Sequence, residues 1–427
     1  MTILRTALTV TLTAVAVKLV PYYLTTDLPL HLDGSAEEGF QAVQTAFREN
    51  FENGWEEEGA AFAVYYKGKL VVDLWGGYAD SSSLRKWKQD TLALSMSSTK
   101  GIAALCLAVL ADRGYIDYDQ LVAKYWPEFG RNGKENITVA MIMDHRAGLA
   151  WLDDVVINRT DVMNARVVAE AFEKQTPKWP PGTVAGYHAI TYGWLVDQLI
   201  RRVDPKHRSV GRFFHDEIAI PYNVDYYIGL PLELEHRVAR VSIESYWAMA
   251  QQALRDGYLS RILYTVLSGA PRPSQQLEKA IANIPWISSS YRAVFNDPAF
   301  HALEMASSSG IGTARGLAKC MSLINDNKLI GEKTRNLIDR PTLVDLYDKI
   351  IGKYDGSRGY GFIYTKRPLG EQDDWLFGHS GFGGQYGKVD LKHDMAFAYL
   401  TNSIKAGVGD ATRTWEKLQK TLYECVN

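Results

Sequence analysis

The chain has 427 residues, 46% of them apolar and 22% charged, and its 47 basic and 49 acidic side chains nearly cancel to a formal charge of −2. That composition belongs to a globular protein with enough chain to bury a large core, and it excludes disordered, collagenous and fibrous classes. The near-zero charge removes the electrostatic ground for a nucleic-acid partner. Length alone suggests about three domains of ~150 residues each. Cys106, Cys320 and Cys425 have neither a disulfide-framework nor a metal-ligand spacing, and no HExxH occurs, so no metal or other cofactor is expected.

Residues 1–24 carry no acid, and the first acidic residue is Asp27. Arg5 supplies a basic start, Thr6 to Val17 is uncharged and mostly apolar, and Ala14-Val15-Ala16 fits a small-x-small cleavage site. That is the layout of a secretory signal peptide. The run is shorter than the ~20 residues that span a bilayer. With Lys18 snorkelling, however, the apolar stretch extends to Leu24 as an uncleaved membrane anchor. A mitochondrial presequence is the alternative, against which the segment is poor in arginine. Two sequons, Asn136-Ile137-Thr138 and Asn158-Arg159-Thr160, agree with a lumenal or extracellular route.

Residues 36–54 read as an amphipathic helix, with Phe40, Val43, Phe47 and Phe51 at helical spacing. Two strand-like runs follow, Ala61–Tyr66 and Leu70–Leu74, joined by Lys67-Gly68-Lys69 as a hairpin. Gly76-Gly77 and the polar stretch 79–90 are expected to end it. From Lys100 the period becomes helical, and residues 102–111 carry no polar side chain, which predicts a helix buried on all sides. The middle, about 125–345, reads as mainly helical, punctuated at Trp179-Pro180-Pro181-Gly182 and Gly269–Pro273. Tyr360–Tyr364, Gln385–Leu391 and Met395–Leu400 then suggest an antiparallel meander, and residues 408–424 a closing helix. The expected fold is α+β. One antiparallel sheet is built from both chain ends (about 36–100 and 346–425) and flanked by helices, with a large helical region inserted at about 101–345.

The best catalytic candidate is Ser97-Ser98-Thr99-Lys100. A serine hydroxyl needs a base to become a nucleophile at neutral pH. In S-x-x-K the lysine lies one helical turn after the serine on the same face, and burial favours its neutral, basic form. The pattern also occurs at Ser83-Leu84-Arg85-Lys86, in a charged stretch that reads as a solvated loop. The competing reading at 97–100 is an ordinary helix cap made by Ser98 or Thr99. Two more segments bear on the choice. Tyr187, one of 24 tyrosines, sits where a Pro/Gly loop enters a helix. Phe377-Gly378-His379-Ser380-Gly381-Phe382-Gly383-Gly384 precedes the strand 385–391, where glycines permit close approach to the backbone. Gly378-His379-Ser380-Gly381 lacks the last glycine of a G-x-S-x-G elbow, and the glycines at 310–312 and 381–384 complete no phosphate loop. The acid pairs Asp153-Asp154 and Asp373-Asp374 read as solvated loops, and His393 as a turn residue.

In their order, Ser97-Ser98-Thr99-Lys100, Tyr187-His188-Ala189 and His379-Ser380-Gly381 resemble the three motifs of the serine β-lactamase and penicillin-binding-protein superfamily. The resemblance is in particular to class C β-lactamases, family VIII carboxylesterases and animal β-lactamase-like proteins. It covers about residues 36–425, with family-like phrases at Val72–Asp80, His145–Leu149 and Gly310–Arg315. It implies that Ser97 forms an acyl-enzyme and that Lys100 and Tyr187 share base and acid duty, with the ammonium favouring the phenolate. It also implies an oxyanion hole from the backbone N–H groups of Ser97 and Phe382, with His379, Ser380 and Gly381 lining the substrate pocket. Ala189 stands where the family usually has asparagine, and His379 where K-T-G has lysine. A largely neutral imidazole is a poor carboxylate anchor, so the implied substrate is a small ester or amide, with little β-lactam hydrolysis. A D-amino-acid-specific peptidase stays open. So does a weakly catalytic binding or filament-forming protein on the same fold, and with it self-association.

Overall fold

Two segments more than three hundred residues apart form the central pair of the sheet: β2 (Gly59–Tyr66) runs antiparallel to β8 (Met395–Thr401), with Ala60 opposite Thr401 and Tyr66 opposite Met395. The computed structural model describes residues 28–243, 245, 273–288, 291–354, 356–371, 373–405 and 412–426. The expected signal or anchor segment 1–24, most of the Gly269–Pro273 break and the start of the expected closing helix lie outside them.

On one side of the central pair, β2 is followed by β3 (Lys69–Asp80) and β1 (Leu32–Ala36). On the other side, β8 is followed by β7 (Gln385–Asp390), β6 (Trp375–Gly381), β5 (Phe362–Lys366) and β4 (Ser357–Gly359). Every pairing is antiparallel. The α+β expectation of one sheet made from both chain ends therefore holds.

Strand β8 shows how the sheet is covered on both faces. Met395, Phe397 and Tyr399 belong to one buried cluster, and Ala396, Ala398 and Leu400 to another, the period-two alternation of a strand. The first cluster is capped by α1 (Gln41–Glu52), through Val43 and Phe47, and by α5 (Arg413–Val426), through Trp415, Leu418 and Leu422. Trp415 stacks on Tyr386 at 4.5 Å. The opposite face meets α4 (Ala314–Ser322), and its small residues let that helix approach closely. Beyond lies α2 (Thr99–Asp112), buried from Thr99 to Leu110 as its apolar sequence predicts, with α3 (Thr191–Val203) packed against it.

Three local expectations change. The helix expected from residue 36 begins at Gln41, and residue 36 ends β1. Gly76-Gly77 does not stop β3, which runs on to Asp80. A Cβ at Gly77 (φ 69°) would lie 1.9 Å from the Glu58 carbonyl oxygen, so that glycine serves a close strand approach rather than a turn. The inserted region also holds strands among its helices: Gly310–Gly312 and Tyr226–Ile228 form a small sheet with Ala93–Leu94, which precedes that region.

The end of β6 is pressed against the turn that carries Ser97. A Cβ at Gly381 would sit 2.4 Å from the Ser95 carbonyl oxygen, and one at Gly101 would sit 3.4 Å from the His379 Cβ. Behind this edge, the Lys405 N–H donates to the Gly383 carbonyl at 3.3 Å, and the Lys405 ammonium is buried against Glu56 at 2.8 Å. Because the obstacle at Gly381 is backbone, Gly381→Ala should push β6 away from the turn and destabilise by about 1–3 kcal/mol. Thermal denaturation checks the stability loss, and a parallel fall of at least ~10-fold in turnover is the scale at which a small misplacement acts.

Candidate active site

Ser97 lies in a short 3-10 turn, Met96–Ser98, directly before α2. Met96 has φ 50°, a left-handed conformation that costs a residue with a side chain on the order of 1–3 kcal/mol. Hydrogen bonds on both flanks hold the turn. The Ser95 N–H and hydroxyl donate to the Gly310 carbonyl at 2.8 and 3.0 Å, and the Gly310 N–H donates to Thr99 Oγ1 at 2.9 Å. The Thr99 hydroxyl in turn donates to the Met96 carbonyl at 2.5 Å. Ser98 does not cap the helix: its hydroxyl is buried and has no partner among the described residues. The capping reading of this motif is thereby set aside. The second S-x-x-K sits in an exposed turn and a two-residue strand, with Ser83 in solvent, as its sequence suggests.

Lys100 is fully buried. Its Nζ lies 3.2 Å from Ser97 Oγ and donates to the carbonyls of Ala189 at 2.9 Å and Ser307 at 2.8 Å. Burial drives its pKa far below the usual lysine value, and no carboxylate pairs with it among the described residues. Gly193 makes this arrangement possible. A Cβ there would lie 2.4 Å from the Ser307 nitrogen, so only glycine lets α3 approach the segment that presents the Ser307 carbonyl.

The Tyr187 hydroxyl donates to Ser97 Oγ at 2.9 Å, and its ring lies under the Lys100 amine at 4.9 Å. The structure thus brings Ser97, Lys100 and Tyr187 together, with the serine and the tyrosine half-buried and the lysine sealed behind them. The rings of His145 and His379 flank Tyr187 at 5.0 and 6.2 Å. His379 Nδ1 faces the Ser380 carbonyl at 2.7 Å, which can only accept, so that nitrogen carries the proton. His379 Nε2 is a buried acceptor with no partner among the described residues. Burial, then the nearby Lys100 charge, pushes the His379 pKa down to about 3. Ser380 is half-buried, Gly381 buried, and the Phe382 side chain 49% exposed at the edge of the site.

Sequence reasoning missed several residues here. His145 and His188 form a buried pair behind the tyrosine. The His188 N–H donates to His145 Nδ1 at 3.1 Å, and the Leu149 N–H donates to His188 Nε2 at 3.0 Å. Burial pushes His188 down to about 4 and His145 well below its usual value. The phrase His145–Leu149 was visible in the sequence as family-like, but nothing local pointed it at Tyr187. The Asp348–Arg358 ion pair was missed altogether. Asp374, read as a solvated loop, instead joins Arg367 and Lys392, whose charges and hydrogen bonds hold its carboxyl at about 2. Among the described residues no group of His, Cys, Asp or Glu is arranged to hold a metal ion, and no helix is long and apolar enough to cross a membrane.

A hydroxyl with an amine on one side and a phenol on the other can be deprotonated, acylated and released by proton transfers alone. Comparison with known proteins agrees with that chemistry. A beta-lactamase family model matches residues 47–421. The chain is 32% identical over 388 residues to the esterase/beta-lactamase LipL of Mycobacterium tuberculosis (strain ATCC 25618 / H37Rv), covering 87% of this chain and 83% of that protein. Among solved structures, a family VIII carboxylesterase superposes with a TM-score of 0.78 at 32% identity, covering 92% of this chain and 99% of that one. A penicillin-binding protein homologue from Caulobacter crescentus superposes with a TM-score of 0.76 at 29% identity, again covering 92% and 99%. With its serine, lysine and tyrosine motifs in one site, on one sheet built from both chain ends, the chain belongs to the beta-lactamase family.

Proposed function

We propose that this serine hydrolase cleaves small esters or amides through an acyl-enzyme on Ser97. The observation that carries the reading is the pair of contacts on Ser97 Oγ, with the Lys100 amine at 3.2 Å and the Tyr187 phenol at 2.9 Å. In its neutral form Lys100 has two N–H bonds, and the carbonyls of Ala189 and Ser307 accept both. The remaining lone pair faces the serine, so Lys100 takes the serine proton as Oγ attacks the carbonyl carbon. As the bond to the leaving group breaks, the leaving oxygen or nitrogen takes a proton from the Tyr187 phenol, and the proton held by Lys100 replaces it. Water then releases the acyl group by the reverse transfers. The N–H groups of Ser97 and Phe382 are assigned to the oxyanion. Neutral His379 with an accepting Nε2 offers a substrate carboxylate no cation, which supports esters and amides over β-lactams.

A fluorophosphonate probe should label the folded wild type and Ser83→Ala but not Ser97→Ala, and no labelling of the folded wild type would overturn the reading. Lys100→Ala and Tyr187→Phe should each lower short-chain ester turnover by at least ~100-fold, the scale of acid–base catalysis.

The base must be neutral to act, so activity is lost as pH falls through the Lys100 pKa, which burial has lowered. kcat/KM should therefore rise with pH along one acid limb lying far below the usual lysine value. That limb should persist in His379→Asn, because the imidazole at about 3 is already neutral. A limb that disappears in His379→Asn assigns the titration to the histidine instead.

We propose a secretory route on separate grounds. The asparagines of both sequons are exposed, and residues 1–24 have the layout of a signal peptide or, uncleaved, an anchor. Enzymatic deglycosylation of the chain made in eukaryotic cells should lower its apparent mass, and Asn136→Gln with Asn158→Gln should abolish the change. An unglycosylated chain recovered with mitochondria sinks this proposal, and the size of the native protein in solution reads whether it self-associates.

A further inference from the structure

The proposed acid, Tyr187, is not on a helix or strand. It lies in the turn before α3, whose hydroxyl-bearing end is fixed by Ser97. Its backbone is held from the other side by a single carboxylate. Asp348 is fully buried, and its Oδ1 accepts the N–H of Tyr187 at 3.1 Å together with those of Ile350 at 2.8 Å and Ile351 at 2.9 Å. Its Oδ2 accepts from the buried Arg358 guanidinium at 2.7 Å. The backbones are joined as well: the Lys349 N–H donates to the Ala185 carbonyl at 2.9 Å, and residues 185 and 348 form a parallel bridge. Arg358 is the middle residue of β4, the edge of the main sheet, and its guanidinium lies 6.0 Å from the Tyr187 ring centre.

We propose that Asp348, held by Arg358, is the positioning residue for Tyr187, tying the tyrosine turn to the edge strand of the catalytic sheet. The inference rests on the reading of Tyr187 as the proton-transfer group. A carboxylate suits this place better than a neutral acceptor, because its two oxygens divide the work. One gathers three backbone N–H groups, and the other anchors to a cation fixed in the sheet. Removing it leaves one buried and two half-buried N–H groups and a buried guanidinium without that acceptor, so the turn relaxes, and a phenol displaced from Ser97 Oγ transfers protons poorly.

A double-mutant cycle on ester hydrolysis tests this, with circular dichroism and thermal denaturation confirming that each variant is folded. Asp348→Ala should lower kcat by at least ~30-fold with KM changed less than ~3-fold, the signature of a lost transition-state contribution. Asp348→Asn keeps an oxygen for the N–H groups but loses the charge that binds Arg358, and should fall between Asp348→Ala and the wild type. In a Tyr187→Phe background Asp348→Ala should cost less than ~3-fold more, because a residue acting through the tyrosine has nothing left to position. If Asp348→Ala does not fold, Asp348→Asn takes its place in the cycle. Full additivity in the Tyr187→Phe background, or near-normal kcat in folded Asp348→Ala, overturns the positioning role alone. Near-normal turnover by Tyr187→Phe itself overturns the reading of the tyrosine, while probe labelling of Ser97 reports separately on the nucleophile.

Discussion

An amine sealed from water, hydrogen-bonded among the described residues to two carbonyls and a hydroxyl, is the constraint around which the site is built. A charged lysine in such a place loses its hydration and meets no counter-ion among the described residues, so burial favours the neutral amine that the proposed base requires. The apolar helix α2 is needed to make that seal. Gly193 is needed so that the Ser307 carbonyl can reach the amine, and the tyrosine turn is needed so that the Ala189 carbonyl can. Ala189 occupies the place of the family's usual asparagine, yet its backbone carbonyl still accepts from the lysine.

The two halves of the chain divide the labour. The sheet built from the chain ends supplies a stiff edge, with His379 and Gly381 at the end of β6 pressed on the serine turn. The helices supply the candidate reactive groups, with the serine and lysine at the head of α2, where the first sheet segment ends, and the tyrosine before α3 in the inserted region. The histidines around the phenol are all kept neutral by burial, so they shape the site without adding charge to it.

The serine and lysine were legible in the sequence because their spacing on one helical turn is a local pattern, and α2 because its apolar run is continuous. Tyr187 and His379 were legible only through the order of motifs, since neither carries a signal of its own among its neighbours. Asp348, Arg358 and the Ser307 carbonyl left no trace, because what makes them matter is a contact across the fold. Ser307, for instance, meets a lysine more than two hundred positions away. One glycine misled. Gly77 read as a chain break, yet it lies where a strand comes too near another backbone to carry a side chain, while Gly381, read as a place of close backbone approach, is one.

The central pairing of β2 with β8 has a consequence for how the protein is made. During synthesis the serine, lysine and tyrosine all leave the ribosome before β6, β7 and β8 exist. Until residues 395–401 arrive, β2 lacks its partner and presents an open edge, the kind that recruits other chains. The nascent chain thus carries an uncovered edge for most of its elongation, and for about half of it all three candidate groups are already translated. The central pair can close only once the last strands of the sheet have been made.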